Sequence, residues 1–229
     1  MTAKLKNTNQ PEKTRPLSVK SWIGTDESGK GDYFGPLVVA AVCVDNDTMS
    51  SLADIGVKDC KKITDNKVKQ LAVEIKNICK FDVVIIGNAK YNELYEKFQN
   101  LNKMLGWAHA RAIENLLNKT DCNYVITDKF ADTKVMLSSL MAKGKEIELE
   151  QRTKAEDDIA VAAASILARA EFINRINKLS KDHGMTLSKG ASSQVLEQAK
   201  LFVEKKGADS LGQIAKLHFK TTKQVLGNK

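Results

Sequence analysis

Apolar residues near the start of the chain fall into two short runs separated by a glycine-rich stretch. The run 21–25 predicts a strand, and residues 36–45, which are rich in valine and alanine, predict a second strand. The segment that joins them, 28–35, contains several glycines. Two apolar runs connected in this way are typical of neighbouring antiparallel strands in one sheet.

Further along the chain, apolar positions recur at intervals of three and four residues, as they do on one face of a helix. The clearest case is 65–80, where Val68, Leu71, Ala72 and Ile75 share such a face. Short β-branched segments lie between the helical patterns and predict strands. The remaining predicted elements are strands at 81–87, 122–127 and 145–150, helices at 91–98, 101–119, 133–141 and 156–179, and helical segments at 194–206 and 210–226.

This alternation of strands and helices predicts an α/β fold, with a mixed central sheet flanked by helices and a helical C-terminal region. The first 18 residues are polar and basic and show no periodicity, so residues 1–18 are predicted to form a disordered basic arm. Residues 19–229 are long enough to form one substantial domain.

Charge and composition narrow the possible partners. The net charge is +8 at pH 7, which favours a polyanionic partner because Lys and Arg release counterions when they bind phosphates. No apolar run approaches the roughly 20 residues that cross a bilayer, and the N-terminus lacks an apolar signal core. We therefore expect a cytoplasmic location and no membrane partner. The four cysteines are widely spaced, so reduced thiols are expected and not a metal site or disulfides.

Acidic residues stand where predicted elements end or begin. Asp26 and Glu27 follow the first strand, Asp128 follows another strand, and Glu156 opens the alanine-rich helix. If these points meet at one sheet edge, the carboxylates repel one another unless protons or cations neutralise them. Magnesium prefers such oxygen ligands, and two ions together can activate water and stabilise the leaving oxygen of a phosphodiester. The pattern therefore indicates a metal site suited to phosphodiester hydrolysis.

Some of these acids also have a structural alternative. Asp128, taken alone, could be a turn residue. Glu156 could complete a capping box with Thr153 or interact with the helix dipole, and its spacing does not decide between these roles and metal binding. Asp26 and Glu27 are harder to explain as scaffolding because two adjacent acids face a glycine loop.

Residues 24–31 (GTDESGKG) come close to the phosphate-binding loop of nucleoside triphosphatases. A triphosphatase is disfavoured because Gly31 replaces the magnesium-binding hydroxyl, two carboxylates lie inside the loop, and a strand is predicted where the motif requires a helix. Gly29, Lys30 and Gly31 better suit a close approach to a polynucleotide, with Lys30 at a phosphate. Main-chain groups of such a loop can contact a ribose 2′-hydroxyl.

The same residues closely resemble the opening motif of ribonuclease HIII, a branch of the ribonuclease HII family, and the likeness continues over about 20–226 with the motifs in order. The segments that carry it are 24–36 (GTDESGKGDYFGP), 56–64 (GVKDCKKIT), 90–94 with Asn102 and His109, 126–130 (ITDKF), 153–156 (TKAE), 160–169 (AVAAASILAR), 189–192 (KGAS) and 215–222 (AKLHFKTT).

The resemblance implies a ribonuclease H-like fold and endonucleolytic hydrolysis of the RNA strand of RNA–DNA hybrids by a two-metal-ion mechanism, leaving 3′-hydroxyl and 5′-phosphate ends. It implies Mg²⁺ or Mn²⁺ as cofactor and the ribose as the group read by Gly29, Lys30 and Gly31. Asp157 is an alternative fourth ligand because the spacing from Glu156 to Ser165 is slightly shorter than the family motif leads us to expect. The implied catalytic and metal-binding residues are Asp26, Glu27, Asp128 and Glu156. The candidate phosphate contacts are Lys61, Lys62, Lys189, Lys216, His218 and Lys220.

Two further expectations concern the partners. Ribonuclease HIII usually carries a small N-terminal domain that grips the substrate, whereas only the polar arm precedes the catalytic region here, so the basic arm could substitute for it. No protein partner is implied, and a monomer is expected. A hybrid-binding protein without catalysis is the second hypothesis, against which the intact acid set argues.

Overall fold

A computed structural model describes the chain at residues 4–7, 16, 18–57 and 63–227. Its strands are Lys4–Asn7 (β1), Ser21–Ser28 (β2), Leu37–Asp45 (β3), Lys80–Ile86 (β4), Tyr124–Asp128 (β5) and Glu148–Arg152 (β6). Its α-helices are Asn46–Asp54 (α1), Asp65–Ile78 (α2), Asn88–Phe98 (α3), Leu101–Leu117 (α4), Thr133–Ser139 (α5), Ile159–Asp182 (α6), Ser193–Lys206 (α7) and Lys220–Leu226 (α8). Short 3-10 turns occupy Gly144–Glu146, Ala155–Asp157 and Ala208–Gln213.

The six strands form one mixed sheet in the order β1-β6-β5-β2-β3-β4. β2 pairs in parallel with β5, β5 with β6, and β6 with β1. β2 and β3 are neighbours, as their apolar runs predicted, and the α/β class with helices around a mixed sheet is confirmed. No helix in the described part of the chain has the length and apolar character needed to span a membrane.

The chain divides into two compact units. The first comprises residues 1–27, 39–84 and 102–170 and contains most of the sheet. The second comprises residues 28–38, 85–101 and 171–229 and is largely helical.

In the first unit, residues 22–25 of β2 are buried, and helices pack against both faces of this strand. The helix α6 starts directly against Gly24, where an added Cβ would lie 2.2 Å from the backbone of Ala160 and Val161. A side chain at position 24 is therefore excluded. Thr25 faces the opposite side, because side chains alternate along a strand, and its hydroxyl contacts His109 of α4.

In the second unit, α3, α7, α8 and the 3-10 turn at Ala208–Gln213 pack together. A short bridge between Phe34 and Ala215 joins two extended segments of this unit. Both residues are fully buried, and so are Tyr33 and Phe202. The apolar core of this unit thus holds the chain that follows the glycine loop.

Several sequence predictions need correction. α1 was not predicted, although its Asp45 cap and Thr48 form a reciprocal capping pair. The helix predicted at 156–179 begins only at Ile159, and the helical segment at 210–226 is interrupted because residues 214–216 pair with 33–35. Within the predicted disordered arm, Lys4–Asn7 forms a strand at the edge of the sheet. Residues 1–3, 8–15 and 17 of this arm lie outside the described residues.

Candidate active site

Asp26 and Asp128 lie side by side at one edge of the sheet. The parallel register between β2 and β5 pairs Gly24 with Ile126 and Thr25 with Thr127. Asp26 and Asp128 each follow this last pair by one residue. Because adjacent strands are about 5 Å apart, the two backbones approach each other closely at this point, and the alternation of side chains puts both carboxylates on the same face. Asp26 and Asp128, two of the acids predicted to meet, are thus brought together.

Asp26 is held in a setting that disfavours its charge. Its side chain points to the face covered by α6, where it accepts a hydrogen bond from Ser165 and, at 2.9 Å, one from the amide of Glu27. Burial, and secondly the charge of Glu27, raise the pKa of Asp26 to about 7, against the lowering effect of these hydrogen bonds. A nearby cation would relieve this unfavourable charge.

Glu27 projects to the other face of β2 and meets His109. The Nε2 atom of this buried imidazole lies 3.1 Å from Oε2 of Glu27, and its Nδ1 atom lies 2.9 Å from Oγ1 of Thr25. A neutral ring with its proton on Nε2 satisfies both contacts, accepting from Thr25 and donating to Glu27. Phe130 stacks on the same ring at a centroid distance of 4.8 Å. His109 therefore fixes the orientation of Glu27, a role that the sequence alone did not reveal.

The fourth predicted acid lies next to the third. The amide of Ala155 donates to Oδ1 of Asp128 at 3.2 Å, which ties the 3-10 turn carrying Glu156 to the end of β5. Glu156 is partly buried, whereas Asp157 is exposed. This position favours Glu156 over Asp157 as the acid that accompanies Asp128.

The capping box proposed for Thr153 and Glu156 does not form, because α6 begins three residues after Glu156. Asp158 caps the helix instead, accepting from the amides of Ala160 and Val161 at 2.9 and 3.3 Å. It also accepts a hydrogen bond from the indole of Trp22 at 3.0 Å. The structural role that competed for Glu156 thus belongs to Asp158.

The acids share an edge of the sheet, but they do not form a closed metal cage. In the described ranges, no three acidic, histidine or cysteine side chains converge closely enough to enclose a metal ion. Asp26 and Glu27, for example, leave opposite faces of β2. Their all-oxygen chemistry nevertheless fits a hard divalent cation such as Mg²⁺ or Mn²⁺.

In the second unit, the predicted polynucleotide loop carries two different glycines. Gly29 has a φ of +90°, and a Cβ there would lie 2.2 Å from the carbonyl oxygen of Pro36, so the fold itself requires glycine. Gly31 is exposed, has no positive φ, and no atom of the described residues lies within 4 Å of the place where its Cβ would be. The fold alone therefore does not explain the glycine at position 31.

The loop and one predicted phosphate contact are joined through Gly190. Its amide donates to Oδ1 of Asp32 at 2.6 Å, and its carbonyl accepts from the amide of Tyr33 at 2.9 Å. These bonds bring the exposed Lys189 close to the residues that follow Gly31. Lys61 and Lys62 lie outside the described residues.

The prediction that Lys216 contacts phosphate is wrong. Its side chain is completely buried, and its Nζ atom donates to backbone carbonyls of this unit. The triphosphatase alternative is also disfavoured, because the strand β3 follows the loop where a helix is required.

The model of the ribonuclease HII family matches residues 23–222 of the chain. Ribonuclease HIII of Protochlamydia amoebophila is 47% identical over 214 residues, which are 93% of this chain and 71% of that protein. Ribonuclease HIII of Chlamydia pneumoniae is 43% identical over 210 residues, which are 90% of this chain and 70% of that protein.

Solved structures agree with this assignment. The crystal structure of Bst-RNase HIII in complex with Mn²⁺ superimposes with a TM-score of 0.86 at 33% sequence identity, covering 96% of this chain and 76% of that one. The ribonuclease H-like fold implied by the sequence motifs is thereby confirmed. The chain, in which Asp26 of β2 lies beside Asp128 of β5, therefore belongs to the ribonuclease HII family of RNA-cleaving enzymes and resembles its HIII members.

Proposed function

We propose that this protein is an endoribonuclease that hydrolyses the RNA strand of RNA–DNA hybrids with the help of two divalent metal ions, Mg²⁺ or Mn²⁺. The products would carry 3′-hydroxyl and 5′-phosphate ends. The observation that carries the proposal is the register of β2 and β5, which puts Asp26 beside Asp128 in a chain that belongs to the ribonuclease HII family. A monomer and a cytoplasmic location remain parts of the proposal.

Asp26, Glu27, Asp128 and Glu156 are the proposed metal ligands. When bound, divalent ions would activate the attacking water and stabilise the leaving oxygen. The chain's own residues orient the ligands: Ser165 holds Asp26, and His109 holds Glu27. Hydrogen bonds of this kind usually position metal-binding carboxylates and tune their affinity.

The loop at Gly29–Gly31 is proposed to read the ribose, with Lys30 and Lys189 near phosphates. Support comes from Gly31, which is exposed and whose missing side chain is not explained by contacts within the described protein. A bare backbone at this position suits a close approach by the 2′-hydroxyl side of the RNA strand. Lys61 and Lys62 remain predicted phosphate contacts.

The direct test is cleavage of a hybrid that carries a label on its RNA strand, in Mg²⁺, in Mn²⁺ and in EDTA. We expect metal-dependent cleavage by the wild type and none above background by Asp26→Asn or Asp128→Asn. The matched control is Asp121→Asn, an exposed acid that precedes the opposite end of β5, and it should cut normally. Undiminished cutting by both active-site variants would refute the proposal.

Two additions sharpen this test. Glu156→Gln should lose cleavage and Asp157→Asn should retain it, and the reverse result would move the fourth ligand to Asp157. A DNA duplex with a single embedded ribonucleotide, compared with a continuous RNA strand, tests the expected preference for runs of ribonucleotides. Tight hybrid binding without cleavage in either metal would instead favour the non-catalytic binding protein.

A further inference from the structure

Lys216 is an amine buried inside the second unit. Its side chain is completely inaccessible to solvent, although it belongs to a segment in which the sequence predicted phosphate contacts. The Nζ atom donates to the carbonyl of Asp32 at 2.7 Å and to the carbonyl of Gly35 at 2.6 Å. It also lies 5.4 Å from the centre of the Tyr91 ring.

This location is costly for a lysine. Burial of an ammonium group without a closely paired carboxylate is unfavourable, and it lowers the pKa of Lys216 to about 7, with Asp32 acting in the opposite direction. A neutral amine still has two N–H donors, which match the two carbonyls that Nζ contacts. The side chain therefore keeps both hydrogen bonds with or without its charge.

The two carbonyls belong to the segment that follows the glycine loop. Asp32 comes directly after Gly31, and between Asp32 and Gly35 the chain is held at further points. The amide of Lys216 donates to the carbonyl of Tyr33 at 2.9 Å, and the amide of Gly35 donates to Ile214 at 3.0 Å. The side chain of Lys216 thus bridges the two ends of this turn, and the backbone amide of Lys216 holds its middle at Tyr33.

The same turn holds the segment of Lys189. The amide of Gly190 bonds to the carboxylate of Asp32, and the carbonyl of Gly190 accepts from Tyr33. The buried side chain of Lys216 therefore stabilises the Asp32–Gly35 backbone, which directly follows Gly31 and is hydrogen-bonded to the Lys189–Gly190 segment. No atom of Lys216 needs to reach a substrate to affect both.

We infer that Lys216 is a positioning residue whose Nζ atom fixes the Asp32–Gly35 turn, so that Gly31 and Lys189 meet the backbone of an RNA–DNA hybrid in a set arrangement. The inference rests on the proposed function, because it assigns Gly31 and Lys189 to substrate binding. Without these hydrogen bonds the turn is less ordered, and hybrid binding has to order it. The expected defect is therefore in affinity and not in the chemical step.

The test compares Lys216→Met, which keeps the length and apolar stem of the side chain, with the wild type. Binding of a fluorescent hybrid in EDTA should weaken about tenfold, the scale of one or two lost hydrogen bonds to buried groups. The kcat in metal should change less than about threefold, since only binding is affected. The matched control is Lys200→Met, which makes the same substitution at an exposed lysine of α7 and should bind normally.

Salt dependence separates positioning from direct contact. A lysine on a phosphate contributes roughly 0.7–0.9 to the slope of log affinity against log salt. Lys216→Met should leave this slope unchanged, whereas Lys189→Met should lower it. A lower slope in Lys216→Met would mean that the side chain reaches the substrate and would overturn the inference.

Hydrogen exchange provides a readout that does not depend on activity. Amides of residues 31–35 should exchange about tenfold faster in Lys216→Met than in the wild type, because one or two hydrogen bonds are lost. If Lys216→Met does not fold, Lys216→Gln, which keeps a polar N–H group but is too short to reach both carbonyls, should weaken binding with the same unchanged salt slope. Unchanged exchange, or unchanged affinity in a folded variant, would refute the inference. A wild type that neither binds nor cuts hybrids would refute the proposed function instead, and the exchange result would still test Lys216.

Discussion

Substitution of Asp26 should stabilise the metal-free protein while it abolishes the activity. The pKa of Asp26 rises from its ordinary value of 3.8 to about 7 in the folded chain. Each pKa unit corresponds to about 1.4 kcal/mol, so the ionised carboxylate costs the folded state at most about 4 kcal/mol. Because Asp26 is only partly buried and shares the repulsion with Glu27, we expect Asp26→Asn to recover about half of this, roughly 2 kcal/mol.

The sign of the pH dependence follows from the raised pKa. Between about pH 4 and pH 7, the folded state holds a proton on Asp26 that the unfolded chain has released. The contribution of Asp26 to wild-type stability therefore falls as the pH rises through this window and then levels off. Asp26→Asn lacks this contribution, so its advantage over the wild type should be largest at pH 8 and should shrink toward pH 4.

Thermal unfolding in EDTA measures this difference. For a chain of this size, 2 kcal/mol corresponds to a Tm increase of about 4–8 °C at pH 8. Asp121→Asn should differ from the wild type by less than about 0.5 kcal/mol, as is usual for an exposed position. Addition of Mn²⁺ should raise the Tm of the wild type and not that of Asp26→Asn. An Asp26→Asn variant that is no more stable than the wild type at pH 8 in EDTA would show that the ionised Asp26 carboxylate does not destabilise the fold.

Three further predictions follow from individual contacts. Gly31→Ala should leave the Tm unchanged, because the added methyl group meets no described atom, and should raise KM for the hybrid; a normal KM would exclude a close approach at this residue. His109→Phe keeps a ring beside Phe130 but loses the hydrogen bonds to Glu27 and Thr25, so its activity at limiting Mn²⁺ should fall about 10–100-fold. The activity of His109→Gln should fall less. Equal activity of both variants and the wild type would contradict this role of His109. The stability of the wild type should rise between about pH 7 and pH 10.5, because in this window Lys216 is protonated in the unfolded chain but not in the folded one. Urea titrations should show this rise in the wild type and not in Lys216→Met. The same rise in Lys216→Met would contradict the lowered pKa of Lys216.

The central strands and the first acids of the site could be predicted from the sequence because local patterns determine them. The apolar runs that form β2, β3 and β5 are buried in the sheet, but β2 continues through Asp26 and Glu27 to Ser28, beyond the end predicted at residue 25. The parallel pairing of β2 with β5, which the sequence did not predict, then brings Asp26 and Asp128 to the same edge. The individual strands depend on residues close to each other in the chain, whereas their pairing joins distant segments.

Other features depend on partners distant in sequence. Thr153 and Glu156 have the spacing of a capping box, yet Asp158 caps α6 because its carboxylate also bonds to Trp22, 136 residues away. His109 appears in the sequence as one polar residue on a buried helix face, and its contacts with β2 require the fold. Lys216 resembles a surface lysine until residues 33–35 pair with its segment.

Anomalous diffraction from crystals of the wild-type protein soaked in Mn²⁺ would show whether the neighbouring carboxylates of Asp26 and Asp128 bind divalent cations. We expect manganese within coordination distance of both Asp26 and Asp128, and no manganese there in Asp26→Asn crystals. Manganese bound elsewhere in a wild type that is active with this metal, with both carboxylates uncoordinated, would contradict it.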